Sequence, residues 1–255
     1  MALLEVENLS VRFGGVSALD DVSLGVHRGE IFGLIGPNGA GKTTLFNCLS
    51  GTLRPDKGRI AFEGDEIGRL RPYRRAQLGI ARTFQNLQLF RGMTVLENLM
   101  LPVDARARRG MFADALRLPV ARFEEGRAVE HARAILHLLR LADVADSPAG
   151  DLPVGVQRRV ELGRALALRP KLLLLDEPGA GLDTKETAEL ARRLLEVRER
   201  FEITMLLVDH DMALVMRVCD YIHVLDFGRL ISSGSPDHVR EDPQVVRAYL
   251  GEEVA

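Results

Sequence analysis

The segment Ile31–Thr44, IFGLIGPNGAGKTT, leaves a chain few ways to fold. Its first five residues form an apolar run of strand length, the habit of a strand buried on both faces of a parallel sheet. Glycines then recur in GPNGAGKTT, and the chain continues into a helix-forming stretch, TTLFNCLSG. This is the pattern G-x-x-x-x-G-K-[ST] in a strand–loop–helix context. Across Gly36, Pro37, Asn38, Gly39, Ala40 and Gly41 the glycines let backbone N–H groups, of which Pro37 has none, converge on an anion without a side chain intervening. The helix that follows adds the partial positive charge of its N-terminus. Lys42 is then placed to reach the β and γ phosphates of a nucleoside triphosphate, and the Thr43 hydroxyl to hold Mg²⁺, with Thr44 beside it in the first turn.

The rest of the chain supplies a sheet for that loop. Val22, Leu24 and Val26 alternate with polar residues, as do Leu9, Val11 and Phe13, and Gly14-Gly15 offers a turn, so residues 1–30 read as half-exposed antiparallel strands. GRIAFEG reads as a further short strand. KLLLLDE, ITMLLVD and YIHVLDFGRLI read as strands separated by helical patterns, and that alternation predicts a parallel sheet with crossover helices. In DTKETAELARRLLEVRERF, Asp183 can cap a helix with Glu186 three residues on, and Leu190, Leu194, Val197 and Phe201 form its apolar stripe. The middle, residues 88–168, has helical patterns and no convincing strand. The expectation is one α/β unit from residues 1–87 and 169–255, with a helical subdomain inserted between them. The arginine-bearing segment DARARRGMFADALRLPVARF reads either as a solvated helix pair or as a docking surface for a membrane partner.

Composition excludes more than it assigns. A net charge of -2 argues against nucleic acid as the main partner, because phosphate neutralisation leaves a basic surplus. The two cysteines, Cys48 and Cys219, have no partner at metal-ligand spacing and read as reduced core thiols. No apolar run approaches the roughly 20 residues of a membrane span.

LLLLDEP brings a buried strand to its C-terminal edge, where ligands sit in such sheets. Asp176 can there hold the Mg²⁺ water shell, and Glu177 can face the γ phosphate as general base to an attacking water. His210 ends the next strand and comes beside Asp176 in a parallel order, within range of a γ-phosphate contact. His27, His131, His137, His223 and His238 read as structural. Gln85, in ARTFQN, stands where the sheet lobe gives way to the helical one, and its amide can meet Mg²⁺ or the water. DLPVGVQRRVELGRAL poses a different question, since a proline and a glycine precede a strongly helical run.

In order, GPNGAGKTT, TFQ, LPVGVQRRVE, LLLLDEP, AGLD and LLVDH resemble the nucleotide-binding subunits of ATP-binding cassette transporters over nearly the whole chain. ARTFQNLQLFRGMTVLENL and SPDHVREDPQVVRAYLGEE look like the ATPases of branched-chain amino acid importers. The resemblance implies a P-loop NTPase fold of RecA-like type: a mostly parallel sheet, an N-terminal antiparallel β subdomain and an inserted α-helical subdomain. It implies ATP and Mg²⁺ as ligands, Phe13 stacked on adenine, Gln85 sensing Mg²⁺ and water, Glu177 as catalytic carboxylate and His210 as switch histidine. Asp183 falls in the loop that crosses a dimer interface.

By the same resemblance Leu152, Pro153, Val154, Gly155, Val156 and Gln157 match the family's L-S-G-G-Q signature, which faces the triphosphate held by a second subunit. A helix start suits that task, having free N–H groups and a favourable dipole. Pro153 stands where serine would give a hydroxyl, and Val156 replaces the first glutamine. The signature is therefore expected to be weakened but working, or else to belong to a heterodimer with a paralogous cassette. The implied partners are a second ATPase subunit, two integral membrane permease subunits and an extracytoplasmic substrate-binding protein. The implied place is the cytoplasmic face of a bacterial inner membrane, as a peripheral subunit. A lipid or polysaccharide exporter, a soluble cassette ATPase of iron–sulfur assembly and a small-molecule kinase remain the alternatives.

Overall fold

The computed structural model describes residues 2–83, 87–106 and 119–250. Contacts divide the chain into two compact units, residues 1–82 with 171–255, and residues 83–170.

The first unit holds two sheets. β1 (Ala2–Phe13) and β2 (Val16–His27) form a long antiparallel hairpin around the Gly14-Gly15 turn, joined by β4 (Lys57–Phe62) and the short β5 (Asp65–Glu66). The alternating residues face inward as the period-two pattern requires: Leu4, Val6, Leu9, Val22 and Val26 are buried. The second sheet has six strands in the order β10-β9-β3-β8-β7-β6. β3 (Ile31–Ile35), β7 (Leu172–Asp176) and β8 (Thr204–Val208) lie at or near its centre, and every residue in the three is buried. β9 (Tyr221–Asp226) pairs parallel to β3, and β10 (Arg229–Gly234) closes one edge antiparallel. β6 (Ile80–Arg82) forms the other edge, parallel to β7.

Two helices fix the frame of the loop that follows β3. α1 (Lys42–Ser50) starts at Gly41, whose φ of 103° needs glycine, and ends at Gly51. Its C-terminal carbonyls are met by a buried cation. Arg75, on α2 (Pro72–Leu78) and only 1% exposed, donates to the carbonyls of Cys48, Leu49, Leu70 and Gly68. Burial lowers its pKa to about 10; among the described residues no carboxylate pairs with it, and four peptide oxygens hold the charge.

The second unit contains α3 (Val95–Arg106), α4 (Pro119–Leu138) and α5 (Val154–Ala167), with two 3₁₀ turns. Gly163 lets α5 approach its neighbours closely: an added Cβ would lie 3.2–3.3 Å from side-chain carbons of Leu99, Ile135 and Leu139. Asn98, fully buried, gives its amide to the carbonyls of Phe90 and Thr94 and accepts the Phe90 N–H, so it staples the entry loop to α3. In the first unit, α6 (Thr184–Phe201) follows β7 and α7 (Met212–Val218) follows β8. Asp183 accepts from the Glu186 N–H while Glu186 accepts from the Asp183 N–H, which is the expected capping box.

Candidate functional site

The strand order β3-β8-β7 brings three chain reversals together at one sheet edge. β3 runs into Gly36–Gly41, β8 into Asp209-His210, and β7 ends on Asp176 with Glu177 next. Asp176 pairs with Val208 across β7 and β8, so both strands stop level with one another.

The loop is built around backbone conformations that side chains would spoil. Gly36 has φ 147°, and a Cβ there would lie 2.0 Å from the carbonyl oxygen of Leu225. A Cβ on Gly41 would lie 2.5 Å from that of Ala18. Lys42, 7% exposed, donates from Nζ to the carbonyls of Gly36 at 2.6 Å and Pro37 at 2.7 Å. The ammonium is thereby clipped inside the loop's own curve, and the outer residues Asn38 and Gly39 are exposed. The turn after β9 supports the loop from behind, as the Gly228 N–H donates to Ala40 O at 3.0 Å. A glycine-rich loop, a helix start and a fixed ammonium are the elements of a phosphate cradle. Thr43 is exposed and Thr44 half-buried in the first turn of the helix. The oxygen-only donors Thr43 and Asp176 suit a hard cation that keeps waters and phosphate oxygens as its other ligands.

Glu177 sits at φ 48°, left-handed for a non-glycine residue, and its N–H donates to Val208 O at 2.8 Å. That turn throws its carboxylate towards the end of β8, where His210 Nε2 lies 2.8 Å from Glu177 Oε1. Glu177 is the more sheltered partner, at 16% side-chain exposure against 54% for the histidine. An enclosed carboxylate tied to an imidazole can accept a proton from a water placed beside it.

Two residues at this edge were not singled out from the sequence. Asp209, 5% exposed, accepts the Gly179 N–H at 2.8 Å and the Asp211 N–H at 2.9 Å, which ties the loop after Glu177 to the loop of His210. Burial raises its pKa, against the lowering effect of those N–H bonds. Arg82 joins Asp176 through Nη2 at 2.6 Å, and its Nη1 donates to Asn47 Oδ1 at 2.8 Å and Ser50 Oγ at 3.0 Å on α1. An acid directly before the histidine was the only sequence signal for Asp209. Arg82 had none, because a three-residue strand shows no pattern.

Phe13 ends β1 with 54% exposure, an aromatic presented to solvent at the hairpin tip. Gln85 lies outside the described residues, and most of the arginine-bearing segment does too. Asp183 is placed as the N-cap of α6. Of the five other histidines, His223 is a buried core residue, bonded to Ser233 Oγ and facing Gly25 O.

In the second unit the predicted helix start is present. α5 begins at Val154 with Pro153 as its N-cap, and no side chain caps it. Leu152 is half-buried, Pro153 and Val154 are exposed, and Gly155 and Val156 are half-buried. The Val156 and Gln157 N–H groups turn back to Pro153 O, which leaves the amides of Val154 and Gly155 as the outward donors. The Gln157 side chain faces inward: it is 8% exposed and donates to Leu152 O at 2.8 Å and Gly150 O at 3.3 Å. It shapes the loop before the helix.

Comparisons with known proteins identify the family. A family model described as ABC transporter matches residues 19–180, and one described as branched-chain amino acid ATP-binding cassette transporter matches residues 229–255. The chain is 42% identical to the high-affinity branched-chain amino acid transport ATP-binding protein BraF of Pseudomonas aeruginosa, over 98% of each chain. It is 43% identical to the corresponding protein LivG of Salmonella typhimurium, again over 98% of each. Among solved structures it resembles the ADP conformation of an ATP-binding cassette of an ABC transporter, with a TM-score of 0.85, 36% identity and coverage of 98% of this chain and 99% of that one.

Proposed function

The chain belongs to the ABC transporter family of ATP-binding cassettes, and from that membership we propose that it hydrolyses ATP to energise uptake of branched-chain amino acids through a separate permease. The observation that carries the chemistry is the Glu177–His210 pair, held at the ends of neighbouring strands beside the lysine-clipped loop. The relatives' names and the match over residues 229–255 support the cargo.

In this reading Phe13 stacks on the adenine, and the backbone N–H groups of the Gly36–Gly41 loop, Pro37 having none, surround the β phosphate. Lys42 leaves its two carbonyls to reach the β and γ oxygens. Thr43, Asp176 and Gln85 would hold Mg²⁺, which when bound would supply charge to offset that of the γ phosphate. Glu177 takes a proton from water as the water oxygen attacks the γ phosphorus, and the bond to the ADP oxygen breaks. His210 keeps the Glu177 carboxylate aimed until the nucleotide arrives, and then turns to a γ oxygen.

The helix start at Leu152–Gln157 serves a second subunit. Its Val154 and Gly155 amides face the triphosphate held by the partner's loop, and the Asp183 loop lies along the same interface. Pro153 offers neither hydroxyl nor N–H, so the contact rests on backbone donors and the helix dipole. The assembly is a pair of cassettes, as a homodimer or with a paralogue, on two permease subunits, with an external substrate-binding protein delivering cargo. Among the described residues no helix is long and apolar enough to cross a membrane. We place the chain on the cytoplasmic face of a bacterial inner membrane as a peripheral subunit.

The test is hydrolysis by the chain copurified with its permease, measured with and without leucine-loaded binding protein. Stimulation by loaded binding protein, and its loss in Glu177→Gln with ATP binding kept, is the expected result. Undiminished hydrolysis in Glu177→Gln, or transfer of phosphate to an acceptor other than water, would overturn the reading.

A further inference from the structure

Arg82 is tied to three groups at once. Its fork bonds Asp176 on one side and Asn47 and Ser50 on the other, and its guanidinium carbon lies 5.7 Å from the Phe46 ring centroid. The Arg82 and Asp176 side chains are only 11% and 10% exposed. Anchored on α1, this cation cannot swing into solvent as a surface lysine would.

We infer that Arg82 guards the metal position: by pairing with Asp176 it lets a divalent cation be accepted only together with a triphosphate. The inference rests on the reading of Asp176 as the metal-side carboxylate. The physical case is one of charge. Asp176 and Glu177 are adjacent carboxylates at the end of β7, and two such groups alone would attract a free divalent cation. A fixed guanidinium 2.6 Å from Asp176 cancels one of the two charges and repels an incoming cation directly. Even with the dielectric of bulk water, a unit positive charge about 6 Å from a divalent cation opposes its binding by roughly tenfold. A bound triphosphate brings several negative charges beside Lys42 and reverses that balance without Arg82 having to move. The residue acts through Asp176, which makes it a positioning residue.

A structural role alone would make any Arg82 variant worse, whereas the guard predicts a gain. Mn²⁺ binding to nucleotide-free protein at low salt, followed by electron paramagnetic resonance, reads it directly. Arg82→Gln is expected to bind Mn²⁺ about tenfold or more tightly than the parent chain. Arg82→Lys, which keeps the charge without the anchoring fork, is expected to show a smaller gain than Arg82→Gln, and adding Asp176→Asn to Arg82→Gln is expected to abolish the gain. Should Arg82→Gln fold poorly, Arg82→Met keeps an apolar stem over Phe46 and answers the same question. No tighter Mn²⁺ binding in a folded, neutral variant, or an equal gain in Arg82→Lys, would overturn the guard. The underlying reading has its own control: Asp176→Asn must reduce the strengthening of ATP binding by Mg²⁺ in the otherwise unaltered chain. If it does not, Asp176 is not the metal-side group and the inference falls with that assignment.

Discussion

Glu177 is held in a conformation it does not favour, and the strain can be measured apart from the chemistry. Its φ of 48° puts a long side chain in the left-handed region, which costs an L-residue roughly 1–2 kcal/mol. Such strain persists where the surroundings over-determine it, and here β7, β8 and the Val208 carbonyl do so. Two variants separate the terms. Glu177→Gln keeps the strain and the shape but removes the base; Glu177→Gly removes both. Glycine relieves roughly 1–2 kcal/mol but returns about 0.4–1 kcal/mol through its freer unfolded state, a net gain of about 0.8 kcal/mol over glutamine at the middle of both ranges. For a chain of this size that corresponds to about 1–4 °C in melting temperature. Both variants should lose about 10²- to 10⁴-fold in hydrolysis, the usual worth of a positioned base. Differential scanning calorimetry of the two nucleotide-free proteins, with turnover measured alongside, is the assay. A glycine variant that melts at or below the glutamine variant would refute the idea that activity is bought with backbone strain at this position.

Three further outcomes follow from the geometry. Lys42→Ala removes a charge-assisted contact and should weaken ATP binding roughly 10- to 150-fold by calorimetric titration. Pro153→Ser offers a new hydroxyl at the exposed start of α5; turnover of the paired cassettes should rise by up to roughly tenfold, and no change would count against a weakened signature. His223 is pressed down to about 4 by burial, from an ordinary value of 6.5. Because the unfolded chain takes up the proton first, stability present above pH 6.5 should fall as pH drops from there towards 4, by about 3 kcal/mol in all. Urea unfolding at pH 7.5 and 4.5 should show this loss, and His223→Gln should flatten it.

The sequence announced the parts of this site that depend on local pattern. Gly36–Lys42 needs glycine at 36 and 41 because backbone lies there where side chains would, and that requirement writes itself into the residues. The apolar runs of β3, β7 and β8 were legible for a similar reason, since strands covered on both faces have no polar alternation to confuse. The Asp183–Glu186 cap was read from spacing alone. What stayed hidden depends on distance in the chain. Arg82 reaches Asp176 across 94 residues, and Asp209 reaches Gly179 across 30, from elements too short to carry a period. The inward turn of the Gln157 side chain, onto the carbonyls of Leu152 and Gly150, likewise has no signal in the spacing of LPVGVQ.

The Arg75 arrangement extends to the opposite end of its helix. α1 is only 9 residues long, about 14 Å, so the guanidinium at its tail and an anion at its head share one aligned stack of peptide dipoles. Dissolved ions cannot enter a core in which Arg75 is 1% exposed. The pull on phosphate from that direction should therefore persist in brine, after attractions among surface groups have faded.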